Sequence, residues 1–429
     1  MNLKSWYPKR GAQFVIQRAS SILNRYGVTP LKATSRIEES LMILAQYGCF
    51  PTFFTPGIVV ERYSQFIKRM QAKGAEIAVH SYQHIDLNSL PLAKARDQLS
   101  KAINTFNKNG IEVRGFRCPY LSYSEELLES LSEEFFGYSS NRAIWLDVAP
   151  LNQNNGQSVI YNTLRRFYNP ISSTEKICTP YSRPNMIEIP ICIPDDLQLH
   201  DGLSLDSEGI SQAWIEMLHQ TYQRGELFNL IFHPELGSVC KQSFEDLLRQ
   251  AIRLKPSVWI ARLCEISEWW REKSKFYVQI SPNQKNLNLT FDCSPRATIL
   301  VRNLNAPGSV VQWDGEYSRL LSNTLEVPGN PRPFLGLTDG IPERVVSFLH
   351  EQGYILNFGE TARFCGLILD PEILTKLRND VELVNYIESA PTPLVRIWRW
   401  PNGSKSALCI TGDLDALTLY DYVSRIFTH

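Results

Sequence analysis

Apolar and polar positions along this chain change rhythm twice. Over residues 1–272, short apolar runs alternate with stretches of helical spacing. Ile77-Ala78-Val79 and Leu230-Ile231-Phe232 read as buried strands, and Arg114–Tyr120 and Ile187–Pro194 as extended segments. Ser35–Tyr47, Val59–Lys73, Pro91–Asn107, Ser124–Leu131, Gln212–Arg224 and Ser243–Leu254 read as helices, and Trp259–Trp270 closes the region. The Asn- and Gln-rich stretch 149–162 predicts a long loop. After Lys275 the texture shifts: Leu287, Leu289 and Phe291 alternate with polar residues, and Asn, Pro and Gly turns punctuate the chain to residue 330. That pattern predicts a small β-sandwich. Residues 331–390 return to α/β, with a helix over Pro342–Gln352 and a strand near Phe364–Leu369. An apolar strand, Ala407–Thr411, and a helix, Leu417–Phe427, follow. The expected division is 1–272, 273–330, 331–395 and 396–429.

Composition narrows the partners. The 429 residues exceed one ordinary domain and can bury more than one core. With 44 basic and 44 acidic residues and no long run of either sign, nothing points to nucleic acid or another polyanion. No basic-apolar-small pattern marks a signal peptide, and no 18-residue apolar run could span a bilayer. Nine cysteines without a Cys-x-x-Cys pair read as reduced core residues, which sets the expectation of a cytoplasmic protein. Oligomeric state is not readable.

Candidate chemistry gathers where strands end. His80 and His84 follow Ile77-Ala78-Val79, and two imidazoles four residues apart can close on one ion. His233 ends a second apolar strand, so three of the seven histidines occupy such positions. Two histidines need a further ligand, preferably a carboxylate.

These residues resemble the polysaccharide deacetylase family, carbohydrate esterase family 4. Its His-(Ser/Thr)-x-x-His motif is matched by His80–His84, Arg-x-Pro-Tyr by Arg117, Pro119 and Tyr120, and Leu-x-His loosely by Ile231 and His233. Thr52-Phe53-Phe54 resembles a family strand, and the likeness covers roughly residues 36–270. It implies an α/β fold, a distorted (β/α)7-type barrel, and removal of acyl groups with a divalent metal. The family's Thr-Phe-Asp-Asp-Gly strand, however, is missing from residues 1–50.

Three downstream stretches could replace it. Asp292, in Thr290-Phe291-Asp292, reads as part of a sandwich strand, and Asp339 as a helix N-cap. Asp413 and Asp415 end the apolar run Ala407–Thr411, two apart and so on one face of a strand. Taken alone, they could be an N-cap and a solvated acid. Beside a barrel lacking its first strand they predict a circularly permuted barrel, with the β-sandwich and the small α/β segment inserted. The strand Ala407–Thr411 should then lie beside Thr52–Thr55.

What the resemblance implies follows residue by residue. His80, His84 and Asp415 hold the metal, with Zn²⁺ expected. Asp413 is the general base and Arg117 its charge partner. The Tyr120 N–H faces the oxyanion, and His233 protonates the leaving amine. Pro119, Trp145 and Asp147 line the substrate site, with Asp147 a candidate to orient His233. The expected reaction is removal of an N-acetyl group from a sugar-containing substrate. The alternatives are a same-fold hydrolase of a non-sugar linear or cyclic amide, or a catalytically silent glycan-binding barrel.

Overall fold

The central sheet is built from runs that are buried along their whole length. Thr52–Thr55, Glu76–Val79, Leu227–Phe232 and Ser406–Asp413 have no exposed position, as strands covered on both faces require. The computed structural model describes residues 25–131, 136–148, 163, 166, 168–305 and 309–427. The stretch read as a loop, 149–162, lies outside the described residues.

Twelve strands form this sheet. Its order is Ile171–Ser172, Ala143–Trp145, Ile191–Ile193, Leu227–Phe232, Ser406–Asp413, Thr52–Thr55, Glu76–Val79, Gly115–Phe116, Tyr138–Ser139, Ile187–Glu188 and Tyr181–Ser182. Val258–Ile260 also pairs with the first half of Ser406–Asp413. Every pairing is parallel except the last in the series. Thr52 registers with Thr411 and Phe54 with Asp413, while Leu230 registers with Ile410 on the other side. The strand Ser406–Asp413 therefore stands beside Thr52–Thr55, as its sequence predicts.

Helices Leu31–Ala45, Gly57–Ala72, Leu92–Lys108, Ser207–Gln223 and Gly237–Arg253 bury their apolar stripes in the same core as Phe53, Ile77, Ile231 and Ile410. The stretch Ser124–Leu131 forms only the short helix Glu125–Glu129, capped by the Ser124 side chain on Leu127 N–H. Trp259–Trp270 divides into the strand Val258–Ile260 and the helix Leu263–Lys273. Among the described residues no helix is long and apolar enough to cross a membrane.

Beyond Lys273, Tyr277–Asn283, Asn286–Asp292 and Thr324–Pro328 form one antiparallel sheet. Val310–Asp314, Tyr317–Leu320, Ile299–Arg302 and Leu394–Ile397 form another. Leu289 and Phe291 of the first share a core with Val301 and Val395 of the second. Asp292 lies in this sandwich, opposite Tyr277. A parallel three-stranded sheet follows, ordered Leu356–Phe358, Arg332–Leu337, Cys365–Leu369. Its helix Glu343–Glu351 has Pro342 at the N-cap rather than Asp339.

Trp269, Trp270, Trp398 and Trp400 pack with Leu300 and Ala407 where these units meet the barrel sheet. The Trp269 indole donates to Arg399 O at 2.8 Å, and Arg399 Nε donates to Gln352 Oε1 at 2.6 Å. All nine cysteines are free thiols.

Candidate metal centre and active site

In a parallel sheet all carboxyl ends emerge at one edge, and the polar residues collect there. His80 follows Glu76–Val79, Arg117 follows Gly115–Phe116, His233 follows Leu227–Phe232, and Asp413 ends Ser406–Asp413. The strand stops at Asp413, so Asp415 stands just beyond the edge. The loop carrying His80 and His84 is strapped to the start of the preceding helix, Gly57–Ala72, by Gly57 N–H to Ser81 O and Ile58 N–H to Tyr82 O, both at 2.9 Å. Gly57 permits this approach, since a Cβ there would meet the Tyr82 ring at 2.8 Å.

Three of the expected ligands converge. Asp415 Oδ1 lies 3.2 Å from His84 Nε2 and 3.5 Å from His80 Nε2. Ligands about 2.0–2.1 Å from a tetrahedral ion stand roughly 3.3 Å apart, so these separations fit one ion. Asp415 Oδ1 is buried and, beyond its contacts with the two imidazoles, has no hydrogen-bond partner. A carboxylate oxygen left in that condition is costly unless a cation meets it. Among the described residues this is the one group of three or more such side chains able to hold an ion. His80 Nδ1 donates to Arg117 O at 2.9 Å, which leaves Nε2 as the lone pair facing Asp415.

Burial lowers the pKa of His80, and burial together with Arg425 lowers that of His84 to about 4. Burial alone would raise Asp415, but Arg425 and the two histidines hold it well below the usual carboxylate range. The site thus favours two neutral imidazoles and one carboxylate, the protonation states that ligation needs.

Asp413 sits behind this group, Oδ2 at 3.9 Å from His80 Nε2. Arg117 Nη1 donates to Asp413 Oδ1 at 2.7 Å. Arg117 is fully buried, donates to Thr411 Oγ1 and to Ser140, and lies 3.9 Å over the Phe54 ring. That guanidinium is fixed by its surroundings, and the carboxylate it meets is fixed with it.

His233 Nδ1 donates to Asp196 Oδ1 at 2.7 Å, and its backbone N–H donates to Asp196 Oδ2 at 2.7 Å. Burial alone would lower its pKa, but Asp196, with Glu235 and Asp195, raises it well above the ordinary histidine value. Asp196 therefore orients His233. Asp147 instead accepts from its neighbour, the Trp145 indole, at 2.8 Å. Trp145 is buried within the barrel core. Pro119 is buried, and Tyr120 stacks edge-on against His84 at 4.6 Å with a left-handed backbone (φ +59°).

Three residues escaped sequence reasoning. Asp196 belongs to the pair Asp195-Asp196, one proline past the strand Ile191–Ile193, so an acidic pair near a strand end was the available signal. Glu235, two residues past His233, accepts from Tyr26 OH at 2.7 Å and feels the charge of Asp415. Arg425, on the helix Leu419–Phe427, reaches Asp415 Oδ2 at 3.0 Å and His84 Nδ1 at 2.8 Å. No motif marks it.

Residues 26–136 match the polysaccharide deacetylase family profile. A bifunctional xylanase/deacetylase from Pseudobutyrivibrio xylanivorans is 31% identical over 108 residues, 25% of this chain and 17% of that protein. A chitooligosaccharide deacetylase from Bradyrhizobium sp. (strain ANU 289) is 32% identical over 93 residues, 21% of this chain and 42% of that one. The chain spans less than half the length of these relatives. The solved structure of Puue allantoinase superimposes with a TM-score of 0.44 at 16% identity, covering 55% of this chain and 72% of its own. The matched stretch 26–136 holds His80, His84, Arg117 and Tyr120, while Asp413, Asp415 and His233 lie outside it.

Proposed function

We propose that the polysaccharide deacetylase domain of residues 26–136 is completed by the strand Ser406–Asp413 into a metal-dependent hydrolase that removes an N-acetyl group from a sugar-containing substrate. The barrel in this reading is circularly permuted: the strand that ends at Asp413 follows Thr52–Thr55 and Leu227–Phe232 in sequence yet stands between them in the sheet. The observation that carries the function is the unpartnered Asp415 Oδ1, held against His80 Nε2 and His84 Nε2 at ion-binding separations.

A divalent ion, for which Zn²⁺ suits the two-nitrogen, one-oxygen set, supplies Lewis acidity and an activated water when bound there. Asp413, tethered through Oδ1 to Arg117, keeps Oδ2 toward the centre and takes the proton from the attacking water. The Tyr120 N–H stabilises the oxyanion that forms on the acyl oxygen. His233, kept protonated by Asp196, gives its proton to the amine nitrogen as the C–N bond breaks. An amine leaves poorly without that proton, so base and acid are both required.

The test combines ion content with acetate release from N-acetylated chito-oligosaccharides. Asp415→Ala is expected to lose the ion and the activity. Asp413→Asn should keep the ion and lose about 10²–10⁴-fold in rate. Equal ion loss in both, with wild-type unfolding temperatures, would contradict these roles. Ion-loaded protein that releases no acetate from any acetylated sugar would contradict the function itself.

A further inference from the structure

Two of the nine cysteines meet inside the barrel. Cys178 Sγ lies 3.4 Å from Cys192 Sγ, and both side chains are buried. Among the described residues no other two cysteine sulfurs are hydrogen-bonded to each other. A disulfide holds its sulfurs at about 2.05 Å, so the pair has about 1.4 Å to close. Both members are tied to one strand, Leu227–Phe232. Cys178 O accepts from Leu227 N–H at 2.8 Å, while Cys192 registers with Leu230 and its Sγ lies 3.4 Å from Leu227 O. The two thiols therefore stay together for as long as the sheet does.

The pair joins stretches with different duties. Cys178 belongs to 176–182, which meets the small α/β unit. Lys176 pairs with Asp380, Gln352 Nε2 donates to Thr179 Oγ1 at 3.2 Å, and Ser182 N–H donates to Glu351 Oε1 at 2.7 Å. Cys192 belongs to Ile191–Ile193, the strand that leads to Asp196 and so to His233. A bond between the sulfurs would fix the docking stretch to the sheet. It would also close a short loop in the unfolded chain and remove part of that state's entropy.

We propose that Cys178 and Cys192 are a disulfide-forming pair, a covalent clamp between the sheet and the stretch that carries the α/β unit, closed by exchange with a small-molecule disulfide. The Cys178 thiolate attacks one sulfur of the oxidant, making a mixed disulfide and releasing one thiolate. The Cys192 thiolate then attacks the Cys178 sulfur and releases the second. The pair loses two protons and two electrons, and the oxidant's S–S bond becomes two thiols. The Cys192 contact and burial raise the Cys178 pKa, so closure in the folded chain is slow and proceeds through local opening. The clamp is independent of the hydrolase reading.

The experiment incubates the reduced, folded, full-length chain with oxidised glutathione at about pH 8.5, the ordinary thiol value. The chain is then denatured and alkylated. Its intact mass should show two fewer alkylated thiols than the untreated chain. Cleavage after Glu188, between the two cysteines, should leave the halves joined until a reductant is added. The bridged form should unfold about 2–6 °C above the reduced form. The same oxidation in urea is the control: there all nine thiols compete, and this bridge should be one linkage among several. Full alkylation of the treated folded chain, or a bridge between any other pair, overturns the proposal. Equal yields of this bridge in urea and in native buffer overturn it as well, since closeness in sequence would then suffice. A bridged form that unfolds at or below the temperature of the reduced form overturns the clamp.

Discussion

His233 keeps its proton because of a carboxylate thirty-seven positions away, and this gives the residue a measurable pH signature. Its folded pKa is raised, so the ion pair with Asp196 stabilises the fold fully below the ordinary histidine value of about 6.5. That contribution fades as pH rises through the raised folded value. For the proposed reaction the acid form persists through neutrality, and loss of the His233 proton lowers the rate on the basic side. Asp196→Asn removes the charge that raises the pKa while leaving a side chain that can still accept at Nδ1–H. The basic limb of kcat/KM should then move toward lower pH by at least about one unit. A pH–rate profile with an unmoved limb would show that His233 is not the proton donor.

At the scale of the element, the strand Ser406–Asp413 is so tightly flanked that its one glycine is required. A Cβ on Gly412 would stand 2.7 Å from the Phe53 ring and 3.1 Å from the Phe232 ring, on the two neighbouring strands. Gly412→Ala should cost about 1–3 kcal/mol in urea unfolding, the usual range for overpacking a core. It should also reduce ion uptake, since Asp413 and Asp415 follow directly. Unchanged stability would mean that the three strands can separate without loss. This strand was legible in the sequence because an apolar run ending in Asp-x-Asp has few other readings beside His80-x-x-x-His84. Its partner strand was legible because Thr52-Phe53-Phe54 resembles a family strand. Asp196 and Arg425 were not, because their roles depend on which strand and helix ends meet in space. Trp145, expected at the substrate site, is buried, and in sequence a large aromatic near a strand end looks alike whether it lines a groove or fills a core.

Across the whole molecule, the joint between the barrel and the following units holds a buried amine. Lys273 donates to Glu351 O and lies 4.2 Å over the Trp270 ring. Burial, offset only in part by Glu351, lowers its pKa to about 7. In the unfolded chain the value returns to about 10.4, so between these limits the unfolded state binds more protons. This group's contribution to stability therefore rises with pH over that window. In Lys273→Met the rise should vanish, and the stability gap between wild type and variant should change steadily from pH 7 to 10. A constant gap would show that the amine is charged in the folded protein.

The order of the sheet has a further consequence for a chain made from its N-terminus. Arg117 emerges 296 residues before the aspartate it must hold. Until then Thr52–Thr55 and Leu227–Phe232 flank an empty slot, with backbone donors and acceptors unpaired on both sides. Such edges recruit other chains, so the nascent protein is exposed to aggregation for as long as the slot stays open. The closing strand fills the slot and delivers both carboxylates in the same event. Chains cut short before residue 406 should then be insoluble, which sedimentation of the truncated and the longer chain would check.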